Sequence, residues 1–248
     1  MKREDLRGKT YWLIGASEGL GRALAVELDK MGTRLVISAR SEGRLKSLAK
    51  ELVHDPRILT MDVTSAGSVQ AAVNAVGEVD GIVYLAGAYE PMTAQDWDAE
   101  MAERVSDVNF MGAVRVFGRA MPGIVARGRG HLVLIGSLAG YRGLPGAIGY
   151  GASKAGLIHL AETMQADLWH TDIRVQLLNP GFIRTRLTEK NSFKMPFLLD
   201  SDEAARIVCK LMRKPGFKHD FPYVFSLFFR LGRLLPQGAY QRLFAPEP

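Results

Sequence analysis

Short aliphatic and β-branched runs alternate along the chain with longer stretches whose apolar positions recur at helical spacing. Residues 10–14, 34–38, 58–61, 81–85, 132–135 and 173–178 predict buried strands. Between them, residues 20–31, 44–52, 65–76, two segments within 99–127, and 152–169 predict helices. Strands that alternate with helices at this spacing need crossover connections, which makes the sheet parallel and covers both of its faces. The expected fold class is therefore α/β, a single doubly wound parallel sheet in one domain over residues 1–248. The rhythm fails after Phe182. A loop over 182–200, one helix over 202–212 and an apolar-basic tail over 221–243 are expected there.

The tail has a pattern of its own. At 100° per residue, Ser226, Arg230 and Arg233 gather on one narrow face, with Phe221, Phe225, Phe228 and Leu235 around the other. Pro222 suits the start of a helix over 221–235 and Pro236 its stop. Three readings stay open: a helix docked on its own domain, a subunit interface, or an interfacial helix in peripheral contact with a membrane.

Composition narrows the class. The 248 residues are 47% hydrophobic and 23% charged, a mix that argues against wholesale disorder. A single cysteine, Cys209, rules out an internal disulfide and a cysteine-rich zinc module, so a reducing, cytoplasmic setting is expected. The charged start over residues 1–7 leads to no apolar h-region, so no signal peptide is read. The net charge is +6, and eight Lys/Arg against four Asp/Glu place +4 of it in the last 48 residues. Phenylalanines and leucines separate those charges, which suits a membrane surface or partner face better than a groove tracking phosphates. With no accompanying binding motif, no nucleic-acid partner is expected.

Directly after the first strand comes Gly15-Ala16-Ser17-Glu18-Gly19-Leu20-Gly21, then a helix. Glycines at this spacing allow a tight turn and close backbone approach, so helix N-terminal N–H groups can face a pyrophosphate. Its place between strand and helix is the context that raises this pattern above a flexible turn. The second strand ends Ser38-Ala39-Arg40. An NAD site wants an acidic residue there for the ribose 2′-hydroxyl; Ala39 offers none, and Arg40 could pair a 2′-phosphate instead. Glu18, a like charge near phosphates, counts against this. NADP(H) is favoured over NAD(H).

Ser137 follows the fifth predicted strand, and Tyr150 and Lys154 stand four residues apart at the start of the next helix, on one face. A phenol is a poor base at neutral pH, but a nearby ammonium favours the phenolate and brings it toward a useful range. Ser137 could hold a substrate oxygen by hydrogen bond while hydride moves at the adjacent carbon.

With these residues in view, the sequence resembles the classical short-chain dehydrogenase/reductase family over roughly residues 8–212. The shared landmarks are Gly15-x-x-x-Gly19-x-Gly21, Asp62-Val63, Leu85-Ala86-Gly87, Asn109, Ser137, Tyr150-x-x-x-Lys154 and Pro180-Gly181. The resemblance implies a Rossmann-type fold and a catalytic set of Ser137, Tyr150, Lys154 and Asn109. Tyr150 would be the general acid/base, Ser137 would orient the carbonyl or hydroxyl, and Lys154 would bind the nicotinamide ribose and lower the tyrosine pKa. Asn109 would hold a water in a relay through Lys154. The cofactor set would comprise Gly15, Ser17, Glu18, Gly19, Leu20, Gly21, Arg40, Asp62, Val63, Ala86, Gly87, Tyr150, Lys154, Pro180, Gly181, Ile183 and Thr185, with no metal. It further implies a small carbonyl or alcohol substrate and a homodimer or homotetramer. Ile14 stands where threonine is usual and Leu85 where asparagine is commoner, and neither departure removes a reacting group. Only 67 residues follow Gly181, too few for the larger substrate domain of sugar-modifying relatives, which leaves simple carbonyl/alcohol redox chemistry.

The resemblance also places a substrate lid over 182–200, and its apolar residues, Phe182, Leu187, Phe193, Met195, Phe197 and Leu198, suggest an apolar substrate or ordinary packing over the sheet. Arg184 and Arg186 could attract an anion or be solvated, and His159 and His170 read as structural. The rival class is a non-catalytic dinucleotide sensor on the same fold; a membrane-surface lipid ketone reductase differs only in substrate and location.

Overall fold

The computed structural model describes residues 4–191 and 193–244; residues 1–3 of the charged start, Ser192 in the expected lid, and residues 245–248 lie outside them. The strands are β1 (Thr10–Ile14), β2 (Arg34–Ala39), β3 (Arg57–Thr60), β4 (Gly81–Tyr84), β5 (Arg129–Ile135), β6 (Asp172–Pro180), β7 (Ile183–Arg184), β8 (Leu199–Asp200) and β9 (Lys218–Phe221). Seven of them form one parallel sheet in the order β3-β2-β1-β4-β5-β6-β9, while β7 and β8 pair separately. The six predicted strands are all present. Helices α1 (Gly19–Lys30), α2 (Glu42–Ala49) and α7 (Ser201–Met212) cover one face; α3 (Ala66–Val76), α4 (Ala99–Ser106), α5 (Gly112–Arg127) and α6 (Ile148–Asp167) lie on the other.

Strand periodicity divides the core between these faces, because successive side chains point to opposite sides of a sheet. Trp12, Ile14, Leu132 and Leu134 pack against α3, α5 and α6, whereas Tyr11, Leu13, Val133 and Ile135 pack against α1 and α7.

A polar chain is buried at the opposite end of the sheet from the strand C-termini. Tyr11 Oη lies 2.7 Å from His131 Nδ1, and His131 Nε2 lies 2.9 Å from Gln176 Oε1. Since the amide oxygen can only accept, the imidazole donates from Nε2 and accepts from the tyrosine hydroxyl. Burial, aided by the Arg174 charge, pushes the His131 pKa down to about 4. The unfolded chain takes up this proton near its ordinary pKa of about 6.5, while the native state refuses it until about 4, so acid favours unfolding across that window. Stability should fall by on the order of 3 kcal/mol from pH 6.5 to 4. The urea midpoint followed against pH checks this, and His131→Asn should flatten that part of the curve.

The C-terminal region departs from the sequence reading. β9 extends the sheet although its residues Lys-His-Asp-Phe are mostly polar: Lys218 pairs with Glu162 at 2.6 Å and Asp220 accepts from the Tyr141 hydroxyl at 2.7 Å. Charged side chains are common on edge strands, where they discourage further pairing. The helix expected over 221–235 is present as α8 (Tyr223–Gly232), which ends before Pro236, and a further helix, α9 (Gln237–Phe244), follows. The orientation of α8 differs from the expected one. Ser226, expected on the polar face, is fully buried with its hydroxyl donating to the Tyr223 carbonyl, while Phe228, expected on the same apolar face as Phe225, is 46% exposed. A serine satisfied by its own helix can be buried without loss, and this frees Phe225 to pack beneath the strand ends. Arg142 fixes the turn after α8 by donating to the carbonyls of Gly232 and Leu235 and stacking 4.1 Å from the centre of the Tyr240 ring. One face of the tail is thus docked on its own domain. Among the described residues, no helix is long and apolar enough to cross a membrane.

Candidate active site

The strand order reverses between β1 and β4, the place where a doubly wound sheet opens a crevice beyond its C-terminal edge. A cleft of about 1880 Å³ lies there, beyond the range of most small-molecule pockets. Every residue of the expected cofactor set lines it, as do Ser137, Tyr150 and Lys154.

The turn after β1 is held tight by its glycines. Gly15 has φ +94°, and a Cβ there would lie 2.5 Å from the Ala86 nitrogen; a Cβ on Gly21 would lie 2.1 Å from the Gly15 carbonyl oxygen. Glu18 occupies the α1 N-cap without a side-chain capping bond, whereas Ser41, Ser65 and Asp98 cap α2, α3 and α4. The first N–H groups of α1 therefore lack a side-chain acceptor at a wall without bulk, which fits a pyrophosphate. Gly21→Ala should cost about 3 kcal/mol, lower Tm by roughly 6–12 °C and weaken dinucleotide binding; thermal unfolding and cofactor titration check it.

At one end of the cleft, exposed Arg40 follows β2 and Arg44 lies in the first turn of α2, both lining it. Glu18 is not an isolated negative charge. It pairs with Arg44 and, at 2.9 Å, with Arg186. Asp62 stands after β3 with Oδ1 accepting from the Thr64 N–H at 2.9 Å, which fixes the carboxylate beside Val63. Ala86 and Gly87 line the cleft after β4.

At the other end, Ser137 begins a 3₁₀ turn after β5 and accepts from the Ala139 N–H at 3.1 Å. Tyr150 and Lys154 sit on successive turns at the start of α6. The Lys154 Nζ donates to the Ile135 carbonyl at 2.9 Å and lies 5.8 Å from the centre of the Tyr150 ring. Burial pushes the Lys154 pKa down to about 8. Burial likewise holds the Tyr150 phenol above its ordinary range, with the Ser137 hydroxyl acting in the opposite sense. The sequence reading has the ammonium lowering the phenol; burial acts in the opposite direction.

Asn109 lies in a π-helical turn, Asp107–Met111, and is fully buried behind the residues that line the cleft. Its amide donates to the Ala88 carbonyl at 3.0 Å and to Ser153 Oγ at 2.9 Å, and accepts from the Ala88 N–H at 2.7 Å. With both donors committed, the side chain ties the loop after β4 to α6.

The loop over 182–200, where a lid is expected, is pinned by the β7–β8 pair. Arg184 pairs with Asp200 at 2.8 Å and Arg186 with Glu18 at 2.9 Å. Thr185 packs over the glycine turn, where its Cγ2 would stand 2.9 Å from a Cβ on Gly19. Pro180, Gly181 and Ile183 complete that wall.

Comparison with known proteins agrees with this geometry. The family model described as short chain dehydrogenase matches residues 9–195. The chain belongs to that family. It is 34% identical over 245 residues to an uncharacterized oxidoreductase of Myxococcus xanthus, covering 95% of this chain and 96% of the relative. It is 30% identical to a 3-oxoacyl acyl-carrier-protein reductase of Rickettsia prowazekii, covering 75% and 77% of the two chains. The solved structure of an alcohol dehydrogenase from Thermococcus sibiricus, complexed with 5-hydroxy-NADP, superposes with a TM-score of 0.78 at 27% identity, covering 86% of this chain and 95% of that one. As a member of the short-chain family, the protein is an NAD(P)-dependent oxidoreductase.

Several residues that line the cleft lie outside the expected site set. Arg44 was legible in principle, since it lies in the first turn of the helix that follows Arg40. Tyr89, whose ring meets Tyr150 edge-on at 5.0 Å and whose hydroxyl donates to Asn191 of the lid at 2.7 Å, follows no motif. Phe225 and Phe229 reach the cleft from α8, some 40 residues beyond Gly181, and only the tertiary fold brings them there.

Proposed function

We propose that the protein is an NADP(H)-preferring reductase of apolar carbonyl compounds, working as a homodimer or homotetramer. The observation that carries this reading is one cleft lined by Arg40 and Arg44 at one end and by Ser137, Tyr150 and Lys154 at the other, with Phe182, Phe193, Phe225 and Phe229 also in its wall. The residues fit a phosphorylated dinucleotide: glycine backbone and uncapped N–H groups for the pyrophosphate, and two guanidiniums where a 2′-phosphate would be read. The nicotinamide supplies or takes the hydride when bound.

Tyr150 gives the proton to the substrate oxygen in reduction and takes it back in oxidation. Ser137, whose hydroxyl is free to donate while it accepts from Ala139, orients that oxygen. Lys154, charged below about pH 8, favours the phenolate and offers donors to the cofactor ribose. Asn109 keeps its place in this scheme as a positioning residue, holding the Ala88 loop against α6. The Phe182–Phe193 and Phe182–Phe225 contacts, both at 5.8 Å between ring centres, exclude water from the reacting end and select apolar groups.

The test is a cofactor-oxidation screen over ketones, aldehydes and acyl-linked carbonyls of varied chain length, with NADPH and NADH in parallel. Turnover that rises with apolar chain length and favours NADPH is expected. Tight NADPH binding with no oxidation across the panel would mean a dinucleotide sensor instead. Native mass measurement checks the oligomer.

A further inference from the structure

Helix α8 is apolar on two sides. Its inner side carries Phe225 and Phe229 into the cleft wall, but its outer side leaves Val224 67%, Leu231 62% and Phe228 46% exposed, with Leu234 beyond it at 80%. A helix apolar all round is ordinarily buried, and a contiguous exposed apolar face marks a surface that something covers. The charge around this face is one-sided: residues 221–244 hold three arginines, the exposed Arg230, Arg233 and Arg242, and no aspartate or glutamate. We propose that the outer face of α8 docks on an anionic lipid bilayer, and that an apolar substrate enters the cleft from that bilayer along the ring series of this helix.

The charge pattern selects this occupant over a second copy of the chain. A two-fold interface would set the same arginine-flanked patch against itself, like charge against like. An anionic bilayer supplies an apolar phase and opposite charge together, as interfacial helices require. The patch is also continuous with the site. Exposed Phe228 meets Phe229 at 6.0 Å between ring centres, Phe229 meets Phe225 at 5.0 Å, and Phe225 meets Phe182 at 5.8 Å, inside the cleft. The route, though not the docking itself, rests on the reading of the site as a reductase of apolar carbonyls.

Flotation of the full chain with vesicles of phosphatidylcholine, with and without phosphatidylglycerol, tests the proposal. The wild-type chain should float with the anionic vesicles, lose much of that binding at raised salt, and stay behind with the neutral ones. Val224→Glu combined with Leu231→Glu should lower the bound fraction at least about tenfold, and Arg230→Ser and Arg242→Ser about fivefold each. Failure of the wild-type chain to float, equal flotation with neutral vesicles, or flotation of the double glutamate variant like wild type would overturn it. So would dissociation of the native oligomer by that variant without loss of vesicle binding, which would make the face a subunit contact. NADPH oxidation with a short, water-soluble aldehyde separates the two readings: both chains should retain it, and its absence in both refutes the reductase while leaving the flotation result to decide the docking.

Discussion

Tyr150→Phe is expected to lower turnover by about a thousandfold while leaving NADPH affinity within about threefold, because it removes one hydroxyl from the reacting end and nothing from the glycine turn. The ring keeps its edge-on contact with Tyr89, so the fold around it persists. Burial alone holds this phenol high, and its usefulness near neutral pH depends on a cation beside it. Lys154→Met should therefore move the rising limb of the alcohol-oxidation pH profile upward by at least about one unit, as well as weakening the cofactor. Steady-state rates against pH and fluorescence titration with NADPH read both effects. Substantial activity in Tyr150→Phe would remove the acid/base assignment.

Arg40→Ala with Arg44→Ala should weaken NADPH by about a hundredfold or more and NADH by only a few-fold. Charge-assisted hydrogen bonds to phosphate contribute about 1.5–3 kcal/mol each, and only one of the two cofactors carries the 2′-phosphate. Glu18 sets a baseline for this comparison, since it occupies Arg44 in the free protein. Glu18→Gln should tighten NADPH modestly, by freeing that guanidinium. Equal losses for the two cofactors in the double arginine variant would undo the preference. Dissociation constants for both dinucleotides, measured at one ionic strength, decide it, because such contacts are salt-dependent.

Most of the sheet was legible because buried parallel strands are continuous apolar runs, and those runs survive in the sequence without tertiary information. β9 was not. Its polar residues find Glu162 and Tyr141 as partners across the fold, and no local pattern announces that. The α8 face was misjudged for a related reason: a hydropathy wheel treats Ser226 as polar, whereas its hydroxyl is satisfied within its own helix and the position is buried. At the site, the residues gathered by motif spacing converge on one cleft, with Asn109 buried behind it and its amide committed to Ala88 and Ser153. Spacing reports which residue types recur together but not which of their hydrogen-bonding groups remain free. The protonation balance was equally hidden, since it depends on how deeply Tyr150 and Lys154 are desolvated.

Gly181 has no room for a Cβ because the Phe225 ring would stand 2.9 Å from it. The end of β6 and the last tenth of the polypeptide are thus fitted to one another, although the family match stops at residue 195. Removing the terminal segment would breach the reaction chamber rather than trim an appendage.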